Sequence, residues 1–219
     1  PPGQHDRRGA ARAANPHAGA VAVGRAFLET IARFAPSAKV DLDDTQATVQ
    51  ADSSIDATAE AADGITALVV REVSGAAVGE GAELSGVSDL TVRATARHAV
   101  AADGGAGWAL VSSTALTSAS IDGGSPLGGA GDLSLPPAQT ATVRATGAGA
   151  ALALGVHDAS VRLARGADVA GAVELAAVGR SDASAIVATG RAGAPSTAVS
   201  VLAGLGGATG SLLRLAPAA

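Results

Sequence analysis

The stretch Asp-Leu-Thr-Val-Arg-Ala at residues 89–94 decides the fold class of this chain. Its apolar residues alternate with polar ones, and the earlier stretch Ala-Thr-Val-Gln-Ala at residues 47–51 does the same. Alternation with a period of two places one set of side chains on a buried face and the other set in solvent. Such stretches are bounded by Gly, Asp and Ser, and they predict short β-strands of roughly three to six residues.

Apolar residues recur along the chain with a period of about 43 residues. In each of three registers, four apolar residues follow one another at separations of 40 to 44 positions. The third repeat can be aligned through Leu135 or through Val143, and we choose Leu135 because the downstream spacing then stays even. The apolar registers are Phe34, Val78, Ile121 and Val161; Val40, Leu84, Leu127 and Val169; and Val49, Val92, Leu135 and Leu175, and a glycine register holds Gly64, Gly107, Gly149 and Gly193.

The repeat and the alternation together predict an all-β fold, a parallel β-solenoid. Helical solenoids and propeller blades have repeats of similar length, but the sequence lacks the long helical periodicity of the first and the aromatic signatures of the second. We expect two coils of about 21 residues in each repeat, so that equivalent side chains stack inside a narrow lumen of small residues. The segment 22–34 suits either a helix or a strand.

The composition restricts the class of protein further. Hydrophobic residues make up 47% of the sequence, but only Phe27, Phe34 and Trp108 are aromatic, which favours a thin core of small side chains. The net charge of −5 and the single lysine, Lys39, argue against a nucleic-acid surface. No apolar run is long enough for a membrane span. The absence of Cys excludes disulfides, and the absence of Met indicates a mature form or an internal piece.

Residues 76–94 contain Gly-Ala-x-Leu followed by Asp-Leu-Thr-Val-x-Ala, and this order resembles the repeat region of large bacterial surface adhesins. These are the filamentous haemagglutinin-like, leukotoxin-like and autotransporter passenger proteins. The resemblance covers roughly residues 20–203, and it implies a right-handed parallel β-helix that serves adhesion or scaffolding at the cell surface.

From these observations we expect a flexible lead-in at residues 1–19, solenoid repeats at 20–203, and a partial repeat or Gly/Ala-rich tail at 204–219. The expected function is that of a structural rod segment of a secreted or cell-surface adhesin or extracellular filament, without catalysis. The expected partners are neighbouring repeats or identical subunits end to end, and a host or matrix surface. The alternative function is that of a carbohydrate-active β-helix enzyme, a lyase or hydrolase, which would gather acidic or basic residues in a groove.

We expect no catalytic, cofactor-binding or metal-binding residue. Asp41, Asp43 and Asp44 lack the Gly and the distal Glu of a calcium loop, which favours a polar turn. The repeat registers of His98 and His157 differ, so stacking is not expected to bring these two rings together. The remaining candidates are His5 and His17, which show no metal-ligand spacing, and the glycine-rich run 204–210, which lacks the lysine of a phosphate loop. Trp108 is expected in the core or at a coil end, and the alternative is an exposed position as a contact anchor.

Overall fold

A computed structural model describes residues 3–13, 20–127, 131–164, 172–187, 197–204 and 214–215 of the 219-residue chain. These residues form β-strands joined by short turns, and no helix occurs within the described ranges. The strands are β1 Gly3–Ala13, β2 Ala20–Phe34, β3 Lys39–Ala61, β4 Gly64–Val78, β5 Glu83–Asp103, β6 Trp108–Ile121, β7 Asp132–Leu135, β8 Ala138–Gly147, β9 Ala150–Leu163, β10 Val173–Leu175, β11 Val178–Val187, β12 Thr197–Gly204 and β13 Arg214–Leu215.

The strands build two sheets, and the chain visits them in turn. Sheet A has the order β1-β3-β5-β7-β10, with β8 beside β5 and β11 beside β8. Sheet B has the order β13-β12-β9-β6-β4-β2. Neighbouring strands run parallel, except that β13 is antiparallel to β12. The architecture is therefore all-β with parallel sheets, as predicted, and it is compatible with a β-solenoid.

The strand pairing confirms the period of the repeat and corrects the number of coils. Val49 lies opposite Val92 on the neighbouring strand, so residues 43 positions apart are direct neighbours. One repeat therefore makes one turn of the chain, not the two coils predicted. The strands are also longer than predicted: β4 has 15 residues and β5 has 21, so crossing each sheet once consumes most of a repeat.

The register of the third repeat follows Leu135, as predicted. Leu133 lies opposite Leu90, and Leu135 lies opposite Leu175 one turn later. Val143 belongs to a later part of the same turn, where it lies opposite Val100.

Not every member of the predicted registers is placed correctly. The residue opposite Ile121 is Leu163, whereas Val161 lies opposite Ala119, so the prediction for Val161 is wrong by two residues. Val169 and Gly193 lie outside the described residues.

The sequence also leads to predictions for the segments 22–34 and 1–19. The segment 22–34 forms part of strand β2, and its residues pair along their length with β4. Strand β1, within the expected lead-in at 1–19, pairs with β3 from Gly3↔Ala51 to Ala13↔Ala61.

The interior between the sheets contains two large apolar clusters separated by polar side chains, and Ala22 and Ala61 form a small third cluster. The first cluster includes Val49, Val92 and Leu135, which the predicted register places together, while Leu175 is 46% exposed. The second cluster includes Ile55 and Val143 and lies towards the other end of the long strands. Alternation of inward and outward side chains holds along the long strands, so each sheet also presents an outer face.

The outer face of sheet B is unusually apolar. Ten large hydrophobic side chains on strands β2, β4, β6 and β9 are at least 36% exposed. The outer face of sheet A is different, because its outward side chains are mainly Thr, Ser, Arg and Asp. We name the outward side chains of β2, β4, β6 and β9 the apolar face; its large members are Val21, Val23, Phe27, Ile31, Ile65, Val69, Trp108, Leu110, Leu154 and Val156.

We expect Leu135→Ala to lower the free energy of unfolding by about 2–5 kcal/mol, because Leu135 is fully buried in the first cluster and its truncation leaves a cavity. Thr140→Ala on β8, an exposed outward position, is the control and should change stability by less than about 0.5 kcal/mol. Urea unfolding followed by circular dichroism measures both. Equal effects of the two substitutions would contradict the assignment of inward and outward faces.

Candidate functional site: a buried polar layer

A layer of polar side chains lies between the two apolar clusters. Each of its members is less than 7% exposed, although charged and polar residues are seldom buried unless they are paired. The members come from both sheets and from successive turns. We name this set the polar layer; it consists of Ser53, Glu72, Ser74, His98, Ser113, Gln139 and His157.

Strand alternation explains why these residues point inward. On β4, Glu72 has the same phase as Leu68 and Val70, which belong to the second apolar cluster. On β5, His98 has the same phase as Val92 and Val100. Because side chains two residues apart share a face, each polar residue is carried into the interior by its apolar neighbours.

Four members of the polar layer form a continuous chain of hydrogen bonds. The Ser53 hydroxyl donates to Oε1 of Glu72 at 2.6 Å, and Oε2 of Glu72 lies 2.9 Å from Nδ1 of His98. Nε2 of His98 lies 2.6 Å from the Ser113 hydroxyl oxygen. The chain thus joins β3, β4, β5 and β6, and it crosses from one sheet to the other three times.

The polar layer extends beyond this chain on both sides. The Ser74 hydroxyl donates to the carbonyl oxygens of Ala51 and Thr95, at 3.3 Å and 3.2 Å. Nε2 of Gln139 donates to the carbonyl oxygen of Ala115 at 3.1 Å. These bonds link side chains of one sheet to the backbone of the other, so the layer ties the two sheets together.

His98 can satisfy both of its neighbours at once. A protonated imidazole donates from both ring nitrogens, and the acceptors here are the Glu72 carboxylate and the Ser113 oxygen. Glu72 and His98 are completely buried at the side-chain level, and they form an ion pair when His98 is protonated. Pairing is what makes a buried charge tolerable, because an isolated one would lose its hydration without compensation.

His157 continues the network from β9. Its Nε2 lies 3.1 Å from the Ser113 hydroxyl oxygen, and its ring centroid lies 5.9 Å from that of His98. Its Nδ1 has no hydrogen-bond partner among the described residues. Burial and, as the smaller cause, the charge of the neighbouring His98 together lower the pKa of His157 to about 4. His157 is therefore neutral at pH 7.

The order serine, histidine, carboxylate is that of a catalytic triad, and both hydrogen-bond distances fit it. A triad also needs a nucleophile that a substrate can reach and donors for the developing oxyanion. Ser113 is only 2% exposed, and its neighbours in the network are equally enclosed. In this structure the arrangement is therefore a hydrogen-bond network enclosed within the core.

The proximity of His98 and His157 corrects an expectation from the sequence. Only residues of equivalent registers stack along a sheet, and by that criterion the sequence predicts that the two rings stay apart. They approach instead across the interior, because His98 belongs to sheet A and His157 to sheet B.

Trp108 occupies the second of the two positions that the sequence allowed. It is 61% exposed on the apolar face and not packed in the core. Its outward phase follows from the pairing of β4 with β6, in which Trp108 lies opposite Ile65, itself an outward residue.

The three aspartates at 41–44 form an irregularity within β3. Asp43 and Asp44 have positive φ values of 50° and 60°, and the register with β5 shifts between Asp41 and Thr45. The Asp43 amide donates to Oδ1 of Asp41 at 3.4 Å. Within the described ranges, no group of three or more His, Asp or Glu side chains is placed to hold a metal ion.

The other sequence candidates lie near the ends of the chain. His5 lies in β1, opposite Ser53, and Gly204 ends β12. His17 and the remainder of the glycine-rich run, residues 205–210, lie outside the described residues.

Comparison with known proteins gives no assignment, because no family model, curated protein or solved structure matches the chain. Within the part of the chain that the structure describes, no helix has the length and apolar character needed to cross a bilayer.

We expect Glu72→Ala to destabilise the protein by about 3–5 kcal/mol, because it leaves His98 and Ser53 buried without their partner. The control is Glu83→Ala, which removes an exposed ion pair with Lys39 at 2.9 Å and should cost less than about 1 kcal/mol. Urea denaturation curves of both variants measure the difference. A Glu72→Ala protein as stable as the Glu83→Ala protein would refute the pairing in the polar layer.

The protein should lose stability as the pH falls from 6.5 towards 4. The pKa of His157 is lowered to about 4 in the folded state from its ordinary 6.5, so the unfolded state binds more protons between these values. This difference amounts to about 2–3 kcal/mol between pH 7.5 and 4.5. Urea midpoints across this pH range measure the loss.

The variant His157→Leu lacks the titrating ring and should show a shallower pH dependence over this window. Val156→Ala, an outward neighbour on the same strand, should keep the wild-type dependence. If all three proteins have the same slope of stability against pH, His157 does not contribute the effect.

Proposed function

We propose that the chain is a structural and interaction rod segment of a secreted or cell-surface adhesin or extracellular filament, and that it performs no catalysis. The observation that supports this is the strand register: equivalent residues one repeat apart pair in parallel on successive turns in both sheets. We further propose right-handed winding, the hand that parallel strand crossovers prefer.

The proposed function follows from how such a stack carries load and presents surface. Every turn is joined to the next by backbone hydrogen bonds along long strands, for example fourteen residue pairs between β4 and β6. Turns about 4.8 Å apart add length in one direction, so the outer faces become extended contact surfaces. Within the described residues, β1 and β2 have open edges at one end of the stack, and β13 pairs antiparallel with β12 at the other. Open edges permit continuation by neighbouring repeats or by identical subunits end to end.

The second candidate is a carbohydrate-active enzyme, a lyase or hydrolase. Charged residues on the outer face of sheet A favour it. Asp52 and Asp56 lie on β3, and the residues two positions before them lie opposite Arg93 and Arg97 on β5. Asp52, however, accepts hydrogen bonds from Gln50 and Thr95 on the same face. Because these partners already use the carboxylate, we prefer the rod function.

Beads coated with the folded chain should be retained on surfaces carrying host cells or extracellular matrix, because many copies of an extended face bind together. Beads coated with the Leu135→Asp variant, in which a charge disrupts the first apolar cluster, should be washed off. Retention is measured by counting beads after washing under flow. Equal retention of the two preparations would overturn the proposal that the folded rod mediates adhesion.

Labelling by a fluorophosphonate tests whether Ser113 acts as a catalytic nucleophile, which the proposed rod function excludes. Ser113 should remain unlabelled in the folded protein, since its hydroxyl is enclosed by His98 and His157. The matched control is a protein with Ser113→Ala, which should give the same background. Labelling of Ser113 alone in the folded chain would contradict the proposal that the chain performs no catalysis.

A further inference from the structure

The apolar face of sheet B exposes many large hydrophobic side chains to solvent. Val23 is 68% exposed, Trp108 61% and Val21 59%. Contiguous apolar patches on soluble proteins generally mark a site of contact with another molecule.

The strand register fixes how residues are arranged on this face. Strands β2, β4, β6 and β9 pair without register shifts, so outward residues form rows across the four strands. One row contains Phe27, Arg71, Thr114 and Val156. On β2, Arg25 and Glu29 flank Phe27 at equal distances along the strand, and both are exposed.

We propose that a second copy of this chain covers the apolar face, with its strands antiparallel to those of the first copy and a two-fold axis along the row of Phe27. This lateral contact is distinct from end-to-end association and does not rest on the proposed rod function. Sheets packed face to face keep their strand directions within about 30°, which this arrangement satisfies.

Charge pairing on β2 favours this arrangement, in which the row on the axis also sets Arg71 against its own copy. A two-fold axis through Phe27 places each residue of β2 opposite the residue equally far on the other side of Phe27. Arg25 therefore faces Glu29 of the second copy, and the symmetry repeats the pair. The alternative is an axis parallel to the strands, which would place β2 over β9 of the second copy with both strands in the same direction. Glu29 would then face Asp158, and Arg33 would face Arg162, so both pairs would have like charge.

Side-chain size is also complementary about this axis. On the central strands β4 and β6, the end that contains Ile65 and Trp108 carries large outward side chains, and the opposite end, beyond Val73 and Leu116, carries only Gly, Ala and Ser. The axis sets Trp108 opposite Ser120 of the second copy and Leu110 opposite Ser118. Large residues thus meet small ones, as close packing of two sheets requires.

The axis also brings the two copies of Arg71 near each other. The guanidinium carbon of Arg71 lies 5.7 Å from the centroid of the Phe27 ring in its own chain, in a cation–π contact. This contact directs the guanidinium along its own sheet towards Phe27 on β2, the residue through which the axis passes.

The size of the face suits a stable dimer. Four strands about 4.8 Å apart and about 15 residues long cover about 19 Å by 48 Å, or about 900 Å². Specific interfaces bury about 800 Å² on each partner. The face is therefore large enough for one second copy without a contribution from another surface.

Sedimentation velocity of the full chain tests the proposal through charge reversal. The wild-type chain should form a dimer, and Arg25→Glu and Glu29→Arg should each raise its dissociation constant by roughly 10- to 100-fold, because symmetry applies each repulsion twice. An equimolar mixture of the two variants should regain the wild-type dissociation constant, since each chain then faces one of opposite charge. Both positions are exposed, and circular dichroism verifies that each variant remains folded.

Three results would overturn the proposal. The first is a wild-type chain that remains monomeric up to the highest soluble concentration. The second is a dissociation constant that neither single substitution changes, or a mixture that fails to regain association. The third is a mass that grows beyond the dimer independently of both substitutions, because that would indicate end-to-end contacts as the principal association.

Discussion

Backbone hydrogen bonds between residues one repeat apart are the interaction on which the rest of this structure depends. They fix each residue opposite its counterpart on the next turn, as with Val49 and Val92. Because side chains alternate across a strand, this pairing also assigns every residue to the interior or to one outer face. The apolar clusters, the polar layer and the apolar face all follow from that assignment.

The polar layer contributes something that the small apolar residues cannot. A slip of two residues between neighbouring strands keeps every side chain on its own face, and it mostly exchanges Ala or Val for another Ala or Val. The same slip would separate Glu72 from His98 and leave both buried without partners. Burying this pair costs hydration, so its benefit lies in discriminating against slipped registers more than in raising stability.

Much of the fold could be predicted from the sequence, because alternation and repeat length are local properties of the chain. They indicated parallel strands stacked one repeat apart and the correct alignment of Leu135. They did not reveal how far each strand runs before the chain turns, and so two coils were predicted where one exists. The polar layer was missed for the same reason: the inward phase of Glu72 and His98 was visible beside Leu68 and Val100, but their contact crosses between sheets. The outward phase of Trp108 could have been read from its alignment with Ile65.

The lateral dimer and the extension of a rod are geometrically compatible. The proposed two-fold axis is perpendicular to the strands and lies along the direction in which the turns stack. Rotation about it reverses the strands but leaves the stacking direction unchanged, so β2 of one copy lies over β2 of the other. The two rods would then run in the same direction, and their ends would stay level. Further repeats at either end could continue on both copies without disturbing the shared face, and any anchoring segments would emerge on the same side.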